Sequence, residues 1–201
     1  MIPEKHKGKQ FIMCGTGPSL TPEVIELLRQ YKNKYIIFGI NDSYRAIDFL
    51  DEHYACDGRW WNVWGSDLRS KYPDLSCWCH ENKGTEYKAI KINGAWKPDL
   101  SVDPKIIHFG HNSGYQALNI AFLMGGVKFI LVGYNMQKVN NLNHYFGNHE
   151  NGLKNNSPYD KFISSFDTIS NKYKEMIVNC TTDSALKMFR LAELKDELES
   201  G

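Results

Sequence analysis

Short apolar runs alternate with stretches of helical periodicity along this chain. Gln10-Phe11-Ile12-Met13-Cys14 is an apolar run that stops at Gly15-Thr16-Gly17-Pro18-Ser19-Leu20. Thr21-Pro22-Glu23 then has the marks of a helix start: a hydroxyl N-cap, proline at the first helical position and an acid in the first turn. Val24, Leu27, Leu28 and Tyr31 recur at helical spacing, which predicts a helix ending near Tyr31. Tyr35-Ile36-Ile37-Phe38-Gly39-Ile40 is β-branched and aromatic and reads as a second buried strand, with His53-Tyr54-Ala55-Cys56 a third. The Trp-rich stretch from Asp57 to Lys71 suits a helix. Leu75 to Cys79, Tyr87 to Ile92 and Lys105 to His108 read as short strands.

The clearest unit follows. Ser113 is placed to cap a helix through Ala117, Leu118, Ile120, Ala121, Phe122 and Leu123 to a Gly125-Gly126 stop. Lys128-Phe129-Ile130-Leu131-Val132-Gly133 is then a central-strand run. Asn135 to Pro158 has no sustained periodicity, and a loop of that length in a compact domain is often functional. Tyr159 to Lys174 reads as one amphipathic helix, Glu175 to Cys180 as a last strand and Ser184 to Leu198 as a last helix. Helices feeding buried strands, with no repeat or linker, predict a single three-layer α/β domain with a mostly parallel sheet over residues 1–201.

Composition narrows the partners. With a formal charge of +1, the chain is not built for a broad electrostatic grip on nucleic acid or an anionic membrane. Its 42% hydrophobic and 23% charged residues are those of a folded globular domain. No apolar run approaches the roughly 18 residues of a membrane span. Met1 to His6 opens on no signal-peptide core, and five cysteines are an odd count; both lead to the expectation of a cytoplasmic chain with reduced thiols. Cys77-Trp78-Cys79-His80 lacks the two-residue spacer and second ligand pair of a zinc motif, so alternating strand residues are the preferred reading. No metal site is expected.

Three loops are candidates for chemistry. Gly15 and Gly17 let the backbone turn and approach a ligand, Thr16 and Ser19 add hydroxyls, and a helix N-terminus follows. The loop lacks the lysine of a P-loop and the third glycine of a dinucleotide fingerprint. Asn112-Ser113-Gly114 sits likewise between a strand and a helix, and the two loops would face one crevice of an open sheet. Asn143-His144-Tyr145-Phe146-Gly147-Asn148-His149 holds two imidazoles and a phenol, suited to acid–base work. Asn41 ends the second strand and Asp57 the third, where an amide and a carboxylate could meet a base or ribose. Trp60 and Trp61 stack on a ligand or fill the core.

In this order the motifs resemble a family. Gly15-Thr16-Gly17-Pro18-Ser19-Leu20 with Asn41, then Ser113-Gly114 through Gly125 to Leu131-Val132-Gly133, then Asn143-His144-Tyr145-Phe146-Gly147, is similar to the motif series of a bacterial sialyltransferase family. The resemblance spans about residues 10–190 and is weak from Arg59 to Pro104. The first two segments also resemble a wider Rossmann-like family that includes 6-hydroxymethylpterin diphosphokinases and compact phage-encoded proteins. Thr16 stands where the sialyltransferases usually have Asn, and Asn135 where Gly-x-Asp is common in the wider family.

The resemblance implies a Rossmann-like fold and a metal-independent glycosyltransferase. Its donor would be a nucleotide sugar, CMP-linked in the sialyltransferases, and its acceptor a hydroxyl of a glycan, a small molecule or a modified DNA base. Gly15, Gly17, Ser19 and Asn41 would line the nucleotide, and Ser113 and Gly114 would hold base or phosphate. His144 would be the general base, Tyr145 would steady the leaving phosphate, and His149 is the second candidate imidazole. Two alternatives stay open: a Mg-ATP diphosphokinase-like enzyme, and a non-catalytic nucleotide-binding protein. Oligomeric state is left open.

Overall fold

The computed structural model describes residues 1–149, 153 and 157–200. Its main sheet has eight strands: β1 (Gln10–Cys14), β2 (Ile36–Ile40), β3 (Glu52–Ala55), β4 (Ser76–Cys79), β5 (Ile90–Lys91), β8 (Lys128–Val132), β9 (Ile177–Asn179) and β10 (Arg190–Leu191). Their spatial order is β10-β9-β8-β1-β2-β3-β4-β5, and every pairing is parallel. The two remaining strands, β6 (Asn93–Ala95) and β7 (Ile106–His108), make a separate parallel pair. The chain thus runs outward from β1 to β5 and returns to β8 on the other flank of β1. This is a Rossmann-like α/β domain.

Parallel strands buried on both faces need helices on both sides, and the strand alternation shows this directly. Phe11 and Met13 of β1 face the cluster built with α3 (Ser113–Leu123) and Phe166 of α4 (Tyr159–Asp167). Ile12 and Cys14 face the opposite cluster, with Leu28 of α1 (Pro22–Tyr31) and Leu194 and Leu198 of α6 (Leu194–Glu199). Beyond β2, the second face is covered by α2 (Gly58–Lys71), whose Trp60, Trp61 and Leu68 pack with Cys77 and Cys79. Burying a large apolar side chain contributes about 1.5–3 kcal/mol, so these aromatic-rich clusters dominate the stability. Trp60 and Trp61 are therefore core residues: the Trp60 indole N–H donates to Asp42 Oδ2 at 2.9 Å and that of Trp61 to the Ala55 carbonyl at 3.0 Å.

Several local expectations are met. Thr21 caps α1, accepting from the Val24 amide at 3.4 Å with Pro22 next in line. Cys77 and Cys79 are buried on one side of β4, and all five cysteines are free thiols. Four boundaries differ. The strand expected over Tyr87–Ile92 is confined to β5, because Tyr87 ends a short 3₁₀ helix over residues 82–87, where it lies on Gly65 of α2 and stacks on Trp61 at 6.0 Å. The helix expected over Tyr159–Lys174 is broken into α4 and α5 (Asn171–Lys174), with Thr168 donating back to the Ser165 carbonyl at 2.7 Å. The helix expected from Ser184 is confined to α6, since Ser184 turns its hydroxyl onto the Tyr134 carbonyl at 2.8 Å. Asn112, not Ser113, caps α3: its side chain accepts from the Tyr115 amide at 2.8 Å, and Ser113 is the first helical residue.

Candidate functional site

Strands β1 and β8 are neighbours whose outgoing chains part in opposite directions, the switch point where open α/β sheets bind ligands. The two departing backbones touch. The Gly17 amide donates to the Gly133 carbonyl at 2.8 Å, and a Cβ on Gly15 would stand 2.5 Å from that same oxygen. A Cβ on Gly17 would stand 2.2 Å from Asn135 Oδ1. Close crossing of two loops is thus what requires these glycines, rather than a ligand's approach alone.

Above the crossing lies a cleft of about 290 Å³. Of the residues singled out from the sequence, Gly15, Thr16, Gly17, Asn41, Asp57, Asn112, Ser113, Gly114, His144 and His149 all line it. The cleft continues into a second of about 350 Å³ that shares Asn41, Asp57 and His149 and adds Arg59 and Glu81.

The loop carrying His144 is held to the first glycine loop. The Tyr145 amide donates to the Thr16 carbonyl at 2.9 Å, and the Thr16 hydroxyl pairs with His144 Nδ1 at 3.1 Å. Phe146 stacks flat on the imidazole, with ring centroids 5.0 Å apart and planes 3° from parallel. His149 lies 4.4 Å away by the same measure. Burial, and then the repulsion of a second cation at His149, push the His144 imidazole down to about 4, so it is neutral at neutral pH. The His149 imidazole is lowered as well, mainly by burial.

The opposite wall is the start of α3. Asn112 accepts from Tyr115, and its own amide donates to the Gly110 carbonyl at 2.8 Å, which rigidifies the turn. The cap spares the Ser113 hydroxyl, which has no hydrogen-bond partner among the described residues. The Ser113 and Gly114 amides open the helix and have no carbonyl within it to bond. Together with the helix dipole they favour an anion there. The α1 N-terminus, expected to help, is capped by Thr21 and does not line the cleft. That of α2 is met by a carboxylate, Glu81 Oε2 accepting from the Gly58 amide at 2.9 Å.

Two expected residues fall elsewhere. Ser19 does not line the cleft: its hydroxyl donates to Asn135 Oδ1 at 2.8 Å and its amide to the same atom at 3.2 Å. Tyr145 does not line it either, because its hydroxyl donates to the Asp42 carbonyl at 2.9 Å, and burial pushes that phenol up to about 12. A hydroxyl fixed in this way ties the His144 loop to the turn after β2 and does not reach a leaving phosphate. Residues that the motifs did not single out line the cleft instead, among them His111, Tyr134, Met136, Tyr159 and Phe162. Asn143, which opens the third motif, lines it too, and Tyr159 had a signal in directly following the aperiodic loop; its hydroxyl donates to Asn143 Oδ1 at 3.0 Å.

Among the described residues no group of three or more His, Cys, Asp or Glu side chains gathers to hold a metal ion, and no helix is long and apolar enough to cross a membrane. The chain matches no protein-family model, no curated protein and no solved structure.

Proposed function

We propose that the cleft binds a nucleotide sugar and that the protein transfers the sugar to an acceptor hydroxyl, with His144 as general base. The observation that carries this reading is the meeting of a neutral imidazole and the open first turn of α3 across one cleft at the switch point. An acceptor hydroxyl is a poor nucleophile until a positioned base takes its proton. As the acceptor oxygen bonds to the anomeric carbon, the bond to the nucleotide phosphate breaks and charge collects on the leaving oxygen. The Ser113 hydroxyl and the first amides of α3 are the donors suited to that charge. An imidazole near 4 is by itself a weak base. An anionic nucleotide beside it favours the imidazolium and moves the group toward the working pH. The scheme takes no step from Tyr145 and none from Ser19.

One observation favours a second reading. Asp57 and Glu81 line the adjoining cleft together, and one or two carboxylates with substrate phosphates suit Mg²⁺. A diphosphokinase-like enzyme using Mg-ATP would employ them in this way.

A thermal-shift screen with CMP, UDP, GDP and ADP sugars and with ATP, each with Mg²⁺ or with EDTA, separates the readings. A ligand at 100 times its Kd adds about 2.7 kcal/mol to stability, which is easily seen. Glycosyl transfer predicts stabilisation by one nucleotide sugar in EDTA, retained in His144→Ala while transfer is lost. Stabilisation by ATP only with Mg²⁺ selects the second reading. Silence from every nucleotide rejects both.

A further inference from the structure

Trp96 is 67% exposed, whereas the other four tryptophans are buried or half-buried. Leaving so large an aromatic ring in water is unfavourable, yet its place is closely determined. In the small sheet, Ala95 of β6 pairs with His108 of β7, and the Phe109 amide donates to the Ala95 carbonyl at 3.1 Å. The residues that follow the two strands therefore come side by side, with the rings of Trp96 and Phe109 4.9 Å apart. Gly94 makes room for this, since a Cβ there would sit 2.1 Å from the Phe109 ring.

His111 flanks Trp96 as well, with ring centroids 4.6 Å apart. Gly110 and His111 both take left-handed backbone angles, φ +51° and +60°, a conformation uncommon outside glycine. His111 also lines the main cleft, and Trp96 does not. A ligand leaving the cleft across His111 thus meets Trp96 next.

The polarity of His111 is set by its partner. The Ser165 hydroxyl gives its one proton to the Lys161 carbonyl at 2.8 Å. It therefore accepts from His111 Nδ1, 3.0 Å away. With Nδ1 engaged as the donor, Nε2 is the ring nitrogen left to accept, and that atom has no partner among the described residues.

We propose that Trp96 and His111 form the acceptor platform: a sugar ring of the acceptor lays its apolar C–H face on the Trp96 indole and donates a hydroxyl to His111 Nε2. This inference rests on reading the main cleft as the donor site. A carbohydrate fits the pair because it offers an apolar face edged with hydroxyl donors, matching an amphipathic aromatic ring beside a lone acceptor. A nucleic-acid strand would also stack, but it calls for a cationic track along its phosphates, and the chain carries a formal charge of +1.

The test needs neither donor nor turnover. Lactose, cellobiose and maltose are titrated separately into the isotope-labelled full chain while the indole N–H signals are followed, that of Trp96 being assigned with Trp96→Phe. The expected result is that at least one disaccharide moves the Trp96 signal and leaves those of Trp61 and Trp78 in place. Trp96→Ala, at an exposed position outside the core, should weaken that disaccharide about tenfold, equivalent to about 1.4 kcal/mol, and His111→Ala should weaken it too. A Trp96 signal unmoved by all three sugars, or moved by oligothymidylate and not by sugars, overturns the proposal. Disaccharide binding by a chain that no nucleotide sugar stabilises would leave the platform standing and reject the donor reading of the cleft.

Discussion

The Thr16 hydroxyl lies 3.1 Å from Nδ1 of His144, a contact across 128 positions of sequence that joins the first glycine loop to the long loop after β8. Phe146 stacks on one face of the same imidazole. The ring is thereby fixed by a hydrogen bond at its edge and by a flat contact on its face.

Thr16 is consequently a positioning residue for His144. Thr16→Val keeps the volume and removes the hydrogen bond, and transfer should fall roughly tenfold, the effect of about one hydrogen bond. Thr16→Ser should restore most of it. His144→Ala should cost about 10²–10⁴ in turnover, the range for a lost general base. Steady-state kinetics with the nucleotide sugar found in the thermal screen check this. Equal turnover in Thr16→Val and the parent would remove Thr16 from the mechanism.

At the start of α3, capping and ligand binding are assigned to adjacent residues. Asn112→Ala removes the cap bond to Tyr115 and should lower stability by about 1 kcal/mol, or roughly 2–4 °C in Tm for a chain of this size. Ser113→Ala removes no bond from the fold, so its Tm should stay close to the parent's while nucleotide affinity drops. Differential scanning calorimetry and ligand titration on both variants read the two effects separately. A large Tm loss in Ser113→Ala would return that hydroxyl to a structural role.

The Asn112–Ser113 pair also marks how far the sequence could be read. The strands β1, β2 and β8 and the helix α1 were legible because apolar alternation, the Thr21-Pro22 start and the Gly125 stop are local signals. Two neighbouring residues that both make good caps are separated only by backbone angles, which composition does not encode. Gathering of the glycine loop, Asn41, Asp57 and the histidines followed from parallel-sheet topology, so most of the cleft was readable once the strand order was assumed. What lay hidden depends on tertiary contacts. Tyr145 and Ser19 looked available until Asp42 and Asn135 were seen to hold their hydroxyls. Trp96 and His111 meet through β6 and β7, and Asn93-Gly94-Ala95 has no apolar alternation to announce a strand.

Buried histidines tie stability to pH. His53 is fully buried, its Nε2–H donates to the Asn41 carbonyl at 2.8 Å, and burial lowers it to about 4; His144 is likewise lowered to about 4. Both are depressed below the unfolded value of 6.5. Below that value the unfolded chain takes up protons that the folded one refuses, so the stability they contribute is present above pH 6.5 and lost as pH falls toward about 4. His53 alone accounts for about 3 kcal/mol across that window, from 1.36 kcal/mol per pKa unit. Urea denaturation at steps from pH 7.5 to 5 should show a falling midpoint. A midpoint that does not move would show that His53 can be protonated in place.

Asn135 offers the sharpest test of the loop crossing. Its Oδ1 accepts from the Ser19 hydroxyl and amide at 2.8 and 3.2 Å, while its Nδ2 donates to the Thr182 carbonyl at 2.8 Å. Both functions of an amide are in use, and the residue is 2% exposed. Asn135→Asp keeps the acceptor for Ser19 but turns a carboxylate oxygen toward the Thr182 carbonyl. Desolvation and that lone-pair clash should cost about 1–3 kcal/mol at neutral pH. They also raise the folded pKa of the new carboxyl above its unfolded value. Once protonated, the carboxyl can donate to Thr182 as the amide did, so the deficit relative to the parent should shrink as pH falls through the raised pKa. The comparison must be made against the parent at each pH, because the histidines destabilise both chains in acid. Paired urea titrations at pH 7.5 and 5 decide it: a deficit that is constant, or that grows on acidification, would mean that the Thr182 carbonyl does not need the Asn135 donor.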